Sequence, residues 1–233
     1  MEARSIAFFA SHFETPYIPE NEMNILDQLI ELFDVVYFLY SGNGYNKYRY
    51  KNVRMISTPN KGLDFGKWYR VLSSNLVMQY PNLELILLIN DSCHVGYGKS
   101  ISSIFDMARK KRLKDFWGLT NSYEVAYHLQ SYFLVFRGIH AIRSMLKFFD
   151  NLDPSFVNYD KNSIVARCEV GLSQHMISNG HDAHSIYDVD WFYKQYDLQE
   201  LVSKHNLNLS YRLPRILEQY GCPLIKKKNR PIL

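Results

Sequence analysis

The sequence predicts an α/β protein whose central sheet is mostly parallel and covered by helices on both faces. Two observations support this prediction. Short apolar runs of strand length alternate along the chain with longer segments that are apolar at every third or fourth position. The apolar runs are also continuous rather than alternating, which is typical of strands buried on both faces of a parallel sheet. With 233 residues, we expect one domain over 1–233.

The first half of the chain shows this alternation most clearly. The run NILDQLIELF is apolar at positions 25, 26, 29, 30 and 33, which is the spacing of one helical face. The strand VVYFLY ends at Ser41-Gly42-Asn43-Gly44, and Pro81 is expected to end the second helix. The strands are predicted at 5–10, 35–40, 53–57 and 83–89, and the helices at 24–33, 65–79 and 100–112.

The second half is less regular. Two apolar runs, 115–120 and 131–136, are separated by a short loop, which favours some antiparallel pairing. A last strand is predicted at 183–188, and helices at 139–149 and 168–179. Gly180 stands where a glycine commonly ends a helix.

Composition and charge exclude several classes of protein. A net charge of +4 is too mild to indicate nucleic-acid binding, and no zinc-finger or helix-turn-helix pattern is present. Three widely spaced cysteines, Cys93, Cys168 and Cys222, form neither a disulfide framework nor a zinc spacing. No apolar run approaches 18 residues, and the first residues do not form a signal peptide. We therefore expect a cytoplasmic protein, with peripheral contact to the inner face of a membrane through the basic tail as a further expectation.

The end of the fourth strand is the first candidate site. The apolar run from Leu85 to Ile89 leads directly into Asn90-Asp91-Ser92, and ligands of open parallel sheets bind at the carboxyl ends of strands. A partly desolvated carboxylate there needs a cation or hydrogen-bond donors. Mg²⁺ or Mn²⁺ holding a diphosphate would satisfy Asp91. Alternatively, Asp91 or Ser92 simply caps the next turn.

A glycine-containing turn precedes the second helix. Asn60, Gly62, Asp64 and Gly66 follow the third strand. Glycines at such a turn allow a ligand to approach the backbone closely, and a helix N-terminus favours anions. Asp64 equally fits the role of an N-cap for a helix that begins at Phe65.

Five motifs in order carry a family resemblance. They are NKGLDFGKW (60–68), LLINDS (87–92), the segment from Trp117 to Phe136 that contains HLQSYFLVF, EVGLSQHMISNG (169–180) and PLIKK (223–227). Together they resemble the rhamnan synthesis protein F family, which comprises bacterial glycosyltransferases of polysaccharide assembly. The motifs span nearly the whole chain.

The resemblance implies a single GT-A domain, a Rossmann-like fold with its nucleotide-sugar half at about 1–95 and its acceptor half at about 96–233. Such enzymes usually carry Asp-x-Asp after the fourth strand, whereas this chain has the single carboxylate of Asp91. Either Asp91 holds Mg²⁺ or Mn²⁺ with waters and a remote ligand, or basic groups neutralise the leaving diphosphate. Lys226 and Lys227 are the first candidates for that second role, ahead of three histidines: His175, His181 and His184.

The implied reaction is inverting transfer of L-rhamnose from dTDP-rhamnose onto a growing cell-surface polysaccharide. Three alternatives stay open. The donor is a UDP- or GDP-hexose, the protein is a glycan-binding scaffold of the same fold without catalysis, or it is a phosphate-binding hydrolase that uses Asp91. The partners are thus a nucleotide-diphospho-sugar and a glycan acceptor.

The resemblance also suggests roles for individual residues. Glu169 is expected to be the catalytic base at the start of a late helix, although the helix dipole alone favours a glutamate there; Asp188 or Asp190 is the alternative base. Donor binding is expected from His12, Asn60, Gly62, Asp64, Asn90, Asp91, Ser92, Lys226 and Lys227. The sugar or acceptor pocket is expected to include Trp117, Thr120, Gln130, Ser131 and Tyr132, although buried aromatic residues often only pack and polar strand ends often only satisfy turns.

Overall fold

A computed structural model describes residues 3–42 and 51–228. Asn43 and Gly44, predicted to end the second strand, lie outside the described residues, as does the end of the basic tail from Asn229 onward. The strands are β1 (Ser5–His12), β2 (Val35–Ser41), β3 (Val53–Ser57), β4 (Leu85–Asn90), β5 (Cys93–Val95), β6 (Phe116–Ser122), β7 (His128–Leu129), β8 (Phe133–Arg137), β9 (Ala183–Tyr187) and β10 (Leu224–Lys226).

Helices connect most of these strands. They are α1 (Glu20–Leu32), α2 (Leu63–Leu72), α3 (Ser102–Lys110), α4 (Ile139–Asp150), α5 (Lys161–Ile164), α6 (Gly171–Ser178), α7 (Val189–Gln195), α8 (Leu209–Arg212) and α9 (Pro214–Gln219). A π-helical segment, Val165–Val170, joins α5 to α6. No helix in the ranges 3–42 and 51–228 has the length and apolar character needed to span a bilayer.

The main sheet is mixed but mostly parallel, as predicted. Within the described residues, its strand order is β3-β2-β1-β4-β8-β6-β7, with β9 paired to β6. Strands β1, β2, β3 and β4 run parallel, and β8 is antiparallel to both β4 and β6. The expected antiparallel pairing in the second half is therefore confirmed.

The register aligns the ends of the first strands. Ala10 of β1 lies beside Asn90 of β4, and His12 lies beside Ser41 of β2. Because these strands are parallel, their polar carboxyl ends meet at one edge of the sheet. The candidate site is built at this edge.

Alternate side chains of the strands build two cores. Phe9 and Phe38 point to one face, which α1 and α3 cover, whereas Phe8 and Tyr37 point to the other, which α2, α4 and α6 cover. Both faces of β1 and β4 are thus apolar, which explains why their sequences do not alternate. Each fully buried apolar side chain of this size contributes about 1.5–3 kcal/mol to stability.

Two predicted helices have different bounds in the structure. Helix α2 ends at Leu72 rather than near residue 79. After it, the hydroxyls of Ser73 and Ser74 bond back to carbonyls of the last turn, and such bonds compete with helix continuation. The helix predicted at 168–179 begins earlier, because Asp160 caps α5 and the π segment continues it. Gly180, at φ +82°, follows its end as predicted.

Short elements were missed because two or three residues give no periodicity to read. Strand β10 is one of them. It pairs antiparallel with β5, placing Lys226 opposite Cys93 and Leu224 opposite Val95. This pairing brings the end of the described chain to the carboxyl end of β4.

Candidate active site

A cleft of about 1060 Å³ opens at the carboxyl edge of the sheet. Many of the predicted residues line it, including His12, Asn60, Asp64, Asn90, Ser92, Gln130, Ser131, Tyr132, Glu169 and Lys226. Of the remaining predicted residues, Gly62, Asp91, Trp117, Thr120 and Lys227 do not.

A chain of hydrogen bonds crosses the end of β4. The side-chain amide nitrogen of Asn90, Nδ2, donates to Asp64 Oδ2 over 2.7 Å. The Asn90 Oδ1 atom accepts from both the backbone and the hydroxyl of Ser92. Lys226 Nζ in turn donates to Ser92 Oγ over 2.7 Å. Three segments far apart in sequence are thereby fixed around one strand end.

Asp91 is held against the end of β1. Its Oδ2 atom accepts from Ser11 Oγ at 2.9 Å and from the backbone nitrogen of His12 at 2.8 Å. Neither bond caps the turn after β4, so the capping role proposed for Asp91 is wrong. The carboxylate instead ties the first and fourth strands together at the site.

The residues present do not form a closed metal site. Within 3–42 and 51–228, no group of three or more His, Cys, Asp or Glu side chains could hold a metal ion. One oxygen of Asp91 is already used by two donors. A divalent cation would therefore depend on ligands from the donor diphosphate and water.

The turn before α2 places Asp64 toward β4. The helix begins at Leu63 with Gly62 as its N-cap, at φ +74°, and no side chain caps it. The prediction that Asp64 is an N-cap is therefore wrong, because its carboxylate bonds to Asn90. A Cβ at Gly66 would lie 1.8 Å from the Lys61 carbonyl oxygen. Gly66 is thus required by packing within the turn rather than by close approach of a ligand.

Asp64 and Lys67, both on α2, are ionisable side chains whose pKa values are shifted by their surroundings. Burial raises the pKa of Asp64 to about 7, helped by the nearby Asp91 carboxylate, while Lys67 opposes the rise. Burial likewise lowers the pKa of Lys67, against the effect of both aspartates. Lys67 is only 1% exposed, and its Nζ donates to Asn60 Oδ1 over 3.1 Å. Lys67 was not predicted as a site residue, although a lysine between Gly66 and Trp68 on the inner face of a helix was a usable signal.

Glu169 lies inside the π segment, within the helical run from Lys161 to Ser178. The expectation that it opens a helix is therefore wrong, and the helix dipole no longer explains it. Its Oε1 accepts from the backbone nitrogen of Ser131 at 2.8 Å, and His128 Nε2 lies 3.9 Å from the same oxygen. Among the described contacts, Oε2 has no partner. π-Helical turns within α-helices are frequent at functional sites.

Polar residues behind the cleft wall support it. Thr120 is fully buried and donates to Gln130 Oε1 over 2.7 Å, with Tyr132 OH 2.9 Å from the Thr120 hydroxyl. Thr120 thus orients Gln130 instead of lining the pocket. Trp117 is also corrected, since it is 3% exposed and packs edge-on against Phe105 in the core.

The two predicted lysines have different positions. Lys226 lies in the cleft, with Nζ 4.7 Å from the Tyr132 ring centre and 5.5 Å from that of Tyr211. Lys227 points away, and its Nζ lies 2.6 Å from Glu22 Oε1 on α1. Lys227 therefore forms an ion pair with α1, and the prediction that it binds the donor is wrong.

The alternative acids and histidines have other partners. Asp188 accepts from the backbone of Trp191 as the N-cap of α7, and Asp190 pairs with Lys204 at 2.6 Å. None of the three candidate histidines lines the cleft. His175 lies beside the Ser144 carbonyl, and His181 lies beside the Ser144 hydroxyl. His184 lines a second cavity of about 370 Å³.

Several residues that line the cleft were not predicted as site residues. Lys161, Asn208, Tyr211, Arg212 and Lys228 lie outside the quoted motifs, whereas Glu124 and His128 lie within the segment from Trp117 to Phe136. Most come from loops and short helices of the second half, where the spacing gives no indication of proximity. Arg212 is half-buried, and its guanidinium makes no hydrogen bond or ion pair to the described residues, so it is available to a ligand.

Comparisons with known proteins agree with the motifs. The family model described as rhamnan synthesis protein F matches residues 44–230. The comparison with curated proteins gives no match. Among solved structures, the chain is similar to a glycosyltransferase involved in the glycosylation of the major capsid of PBCV-1. The identity is 14%, the match covers 82% of this chain and 88% of that chain, and the TM-score is 0.43. A likeness this loose supports no argument about the site.

Proposed function

Because this chain belongs to the rhamnan synthesis protein F family and is a glycosyltransferase of polysaccharide synthesis, we propose that it transfers L-rhamnose from dTDP-rhamnose with inversion. The proposed acceptor is a growing cell-surface polysaccharide. The observation that carries this proposal is the joint presence of the Glu169 carboxylate and the Lys226 ammonium in one cleft at the end of β4. Such a pair supplies a base for the acceptor and a cation for the leaving group.

Glu169 is the proposed base. Its Oε1 is anchored by the Ser131 backbone, which leaves Oε2 for the acceptor hydroxyl. Oε2 takes the hydroxyl proton while the acceptor oxygen bonds to the anomeric carbon. The bond from that carbon to the diphosphate breaks on the opposite face, and its electron pair leaves with the diphosphate. Attack from the opposite face inverts the anomeric configuration.

Cations of the chain are proposed to stabilise the leaving diphosphate. Lys226, held by Ser92, stands at the strand end. Lys67 and Arg212 line the same cleft. Preorganised charges of this kind lower the barrier because they need little reorganisation during the reaction. We propose that these groups suffice without a resident Mg²⁺ or Mn²⁺, since Asp91 is already bonded to β1.

The nucleotide is proposed to lie along the ends of β1 and β4 and the start of α2. His12, Asn60 and Asp64 line that part of the cleft. The preference for dTDP-rhamnose rests on the family, so a UDP- or GDP-hexose is the competing donor. The solvent-exposed edge of the cleft is proposed to bind the glycan acceptor. Peripheral contact with the inner face of a membrane through the basic end of the chain belongs to the same proposal.

A ligand panel tests donor and metal together. The thermal stability of the protein is measured with dTDP, UDP, GDP and CDP, each with Mg²⁺, with Mn²⁺ and with EDTA. A ligand at a hundred times its dissociation constant stabilises the folded state by about 2.7 kcal/mol. We expect the largest rise with dTDP and no loss of that rise in EDTA. A rise abolished by EDTA would contradict metal independence, and no rise with any diphosphate would favour a glycan-binding scaffold.

A further inference from the structure

Leu63 is a large apolar residue held in a left-handed backbone conformation at the edge of the cleft. Its φ is +53°, and it follows Gly62, at φ +74°, at the start of α2. A leucine in this region is strained because its Cβ crowds a neighbouring carbonyl oxygen. The turn brings Asp64 to Asn90, but glycine or asparagine would adopt the same conformation at lower cost. The path of the backbone therefore does not explain a leucine at this position.

Packing within the protein does not explain the leucine either. Its side chain is 41% exposed and belongs to neither of the two cores that the described residues form. An exposed apolar side chain contributes little to stability. The side chain instead lines the cleft. Backbone strain of this kind is concentrated at ligand-binding and active sites, so we asked what Leu63 would contact there.

Leu63 belongs to an apolar wall of the cleft, which also comprises Phe65, Ile164 and Val165. Phe65 and Ile164 are each 3% exposed and anchor the wall in the core. Val165 is partly exposed and, like Leu63, belongs to neither core. Helix α2 packs against α5, from which the π segment continues. Residues from α2 and from the π segment thus build one continuous apolar surface.

The position of the wall relates it to the donor sugar. Val165 precedes Glu169 by about one turn of the π segment, a spacing that places both on one face, and both line the cleft. The other end of the wall is the start of α2, where the nucleotide is proposed to lie. The donor sugar must lie between the nucleotide and the base, because the acceptor hydroxyl attacks its anomeric carbon. The wall is therefore placed beside the sugar.

We propose that Leu63 is a specificity-determining residue that packs against the C6 methyl group of a 6-deoxyhexose in the donor. This inference rests on the proposed function. L-Rhamnose carries a methyl group where the corresponding hexose, L-mannose, carries a hydroxymethyl group. A hydroxyl placed against the apolar wall would lose water without gaining a hydrogen-bond partner, which is unfavourable. A methyl group there removes apolar surface from water on both sides of the contact, which is favourable.

The experiment compares two donors that differ by one hydroxyl. The dissociation constants of dTDP, dTDP-L-rhamnose and dTDP-L-mannose are measured by calorimetric titration without acceptor. We expect the wild type to bind dTDP-L-rhamnose about 10–100-fold more tightly than dTDP-L-mannose, the range for an apolar pocket that meets an added hydroxyl. Leu63→Asn should remove most of this preference, because asparagine adopts the left-handed conformation but presents a polar group. Leu63→Met should keep the preference.

Leu201→Asn is the matched control, since this leucine is 61% exposed and is not among the residues that line the cleft. It should keep the wild-type preference. A preference that survives in Leu63→Asn, or that the wild type lacks, would overturn the inference. An equal loss of affinity for dTDP and for both sugar nucleotides in Leu63→Asn would also overturn it, because Leu63 would then contact the nucleotide.

Melting temperatures test the premise that folding does not need Leu63. Leu63→Asn should melt at least as high as the wild type, because the substitution relieves backbone strain and removes no core contact. A clear fall would show that Leu63 stabilises the fold, against the inference. A wild type that binds UDP or GDP but not dTDP would overturn the proposed donor, and this inference with it. That result differs from tight binding of dTDP without discrimination between the two sugars, which overturns the inference alone.

Discussion

The donor side and the acceptor side of the cleft are built in different ways. The proposed donor side comprises His12, Asn60, Asp64, Asn90 and Ser92, which follow β1, β3 and β4 or end them. The proposed acceptor side comprises Gln130, Ser131, Glu169 and Tyr211, from the loop after β7, the π segment and α8. Parallel strands bring the first group together by their register alone. The second group depends on packing of short and irregular elements.

We propose that the donor side binds the nucleotide-sugar and that the acceptor side supplies the base for the transfer. The donor side is held by a sheet whose strands are buried on both faces, so its geometry is rigid. The acceptor side is where the proposed base, Glu169, lies. Lys226 crosses the division, since it comes from the end of the described chain and bonds to Ser92 on the donor side.

The largest expected effect is on the acceptor side. Glu169→Gln should lower turnover about 10²–10⁴-fold, the usual contribution of a general base. It should leave the dissociation constant of the nucleoside diphosphate unchanged, because Glu169 does not bond to the donor-side residues. Initial rates and calorimetric titration measure the two quantities.

Glu200→Gln is the matched control, since this glutamate is exposed and is not among the residues that line the cleft. It should retain wild-type rates. If Glu169→Gln weakened donor binding as much as it lowered the rate, the two sides of the cleft would not be separable in function.

Lys226 gives the next largest effect. Lys226→Met should raise the dissociation constant of the nucleoside diphosphate about 10–100-fold, because a hydrogen bond to a charged group contributes about 1.5–3 kcal/mol. The dissociation constant of the corresponding monophosphate, which lacks the second phosphate, should rise much less. Calorimetric titration of both nucleotides measures the contrast. Lys110→Gln, an exposed lysine on α3, serves as control, and equal losses for both nucleotides would contradict the role of Lys226.

The neighbouring lysine should affect stability alone. Lys227→Met leaves Glu22 with a buried carboxylate whose Oε2 already has no partner. We expect a loss of about 1–2 kcal/mol in the free energy of unfolding, below the value for fully buried pairs because Lys227 is partly exposed. Denaturant titration measures it, and the double variant Glu22→Gln, Lys227→Met should recover part of the loss. Weakened diphosphate binding in Lys227→Met would return Lys227 to the donor site.

A further prediction concerns the pH dependence of stability on the donor side, through Asp64. The pKa of Asp64 is about 7 in the folded protein, against 3.8 for an ordinary aspartate. The folded state therefore holds this proton more tightly. Its contribution to stability is complete below pH 3.8 and is lost as the pH rises through about 7. Asp64→Asn should remove this decline in a series of melting temperatures, whereas the exposed control Asp182→Asn should keep it. A decline that persists in Asp64→Asn would assign it to another group.

The sequence by itself determined the class of fold and the position of the polar strand ends that form the proposed donor side. Continuous apolar runs that end in polar residues identify buried parallel strands, and parallel strands necessarily bring their carboxyl ends to one edge. For that reason Asn90 and Ser92 were found from spacing alone, and the family motifs added Glu169 and Lys226.

Only the tertiary structure decided which of two adjacent residues reaches the cleft and which forms its contacts elsewhere. Adjacent residues such as Lys226 and Lys227 have the same chemistry, but pairing of β10 with β5 turns one toward the cleft and the other toward α1. Tyr211 and Arg212 lie on α8, which is too short to show a period, so nothing local predicts that they reach the cleft. Their positions follow from packing between segments distant in sequence, and local patterns carry no information about such contacts.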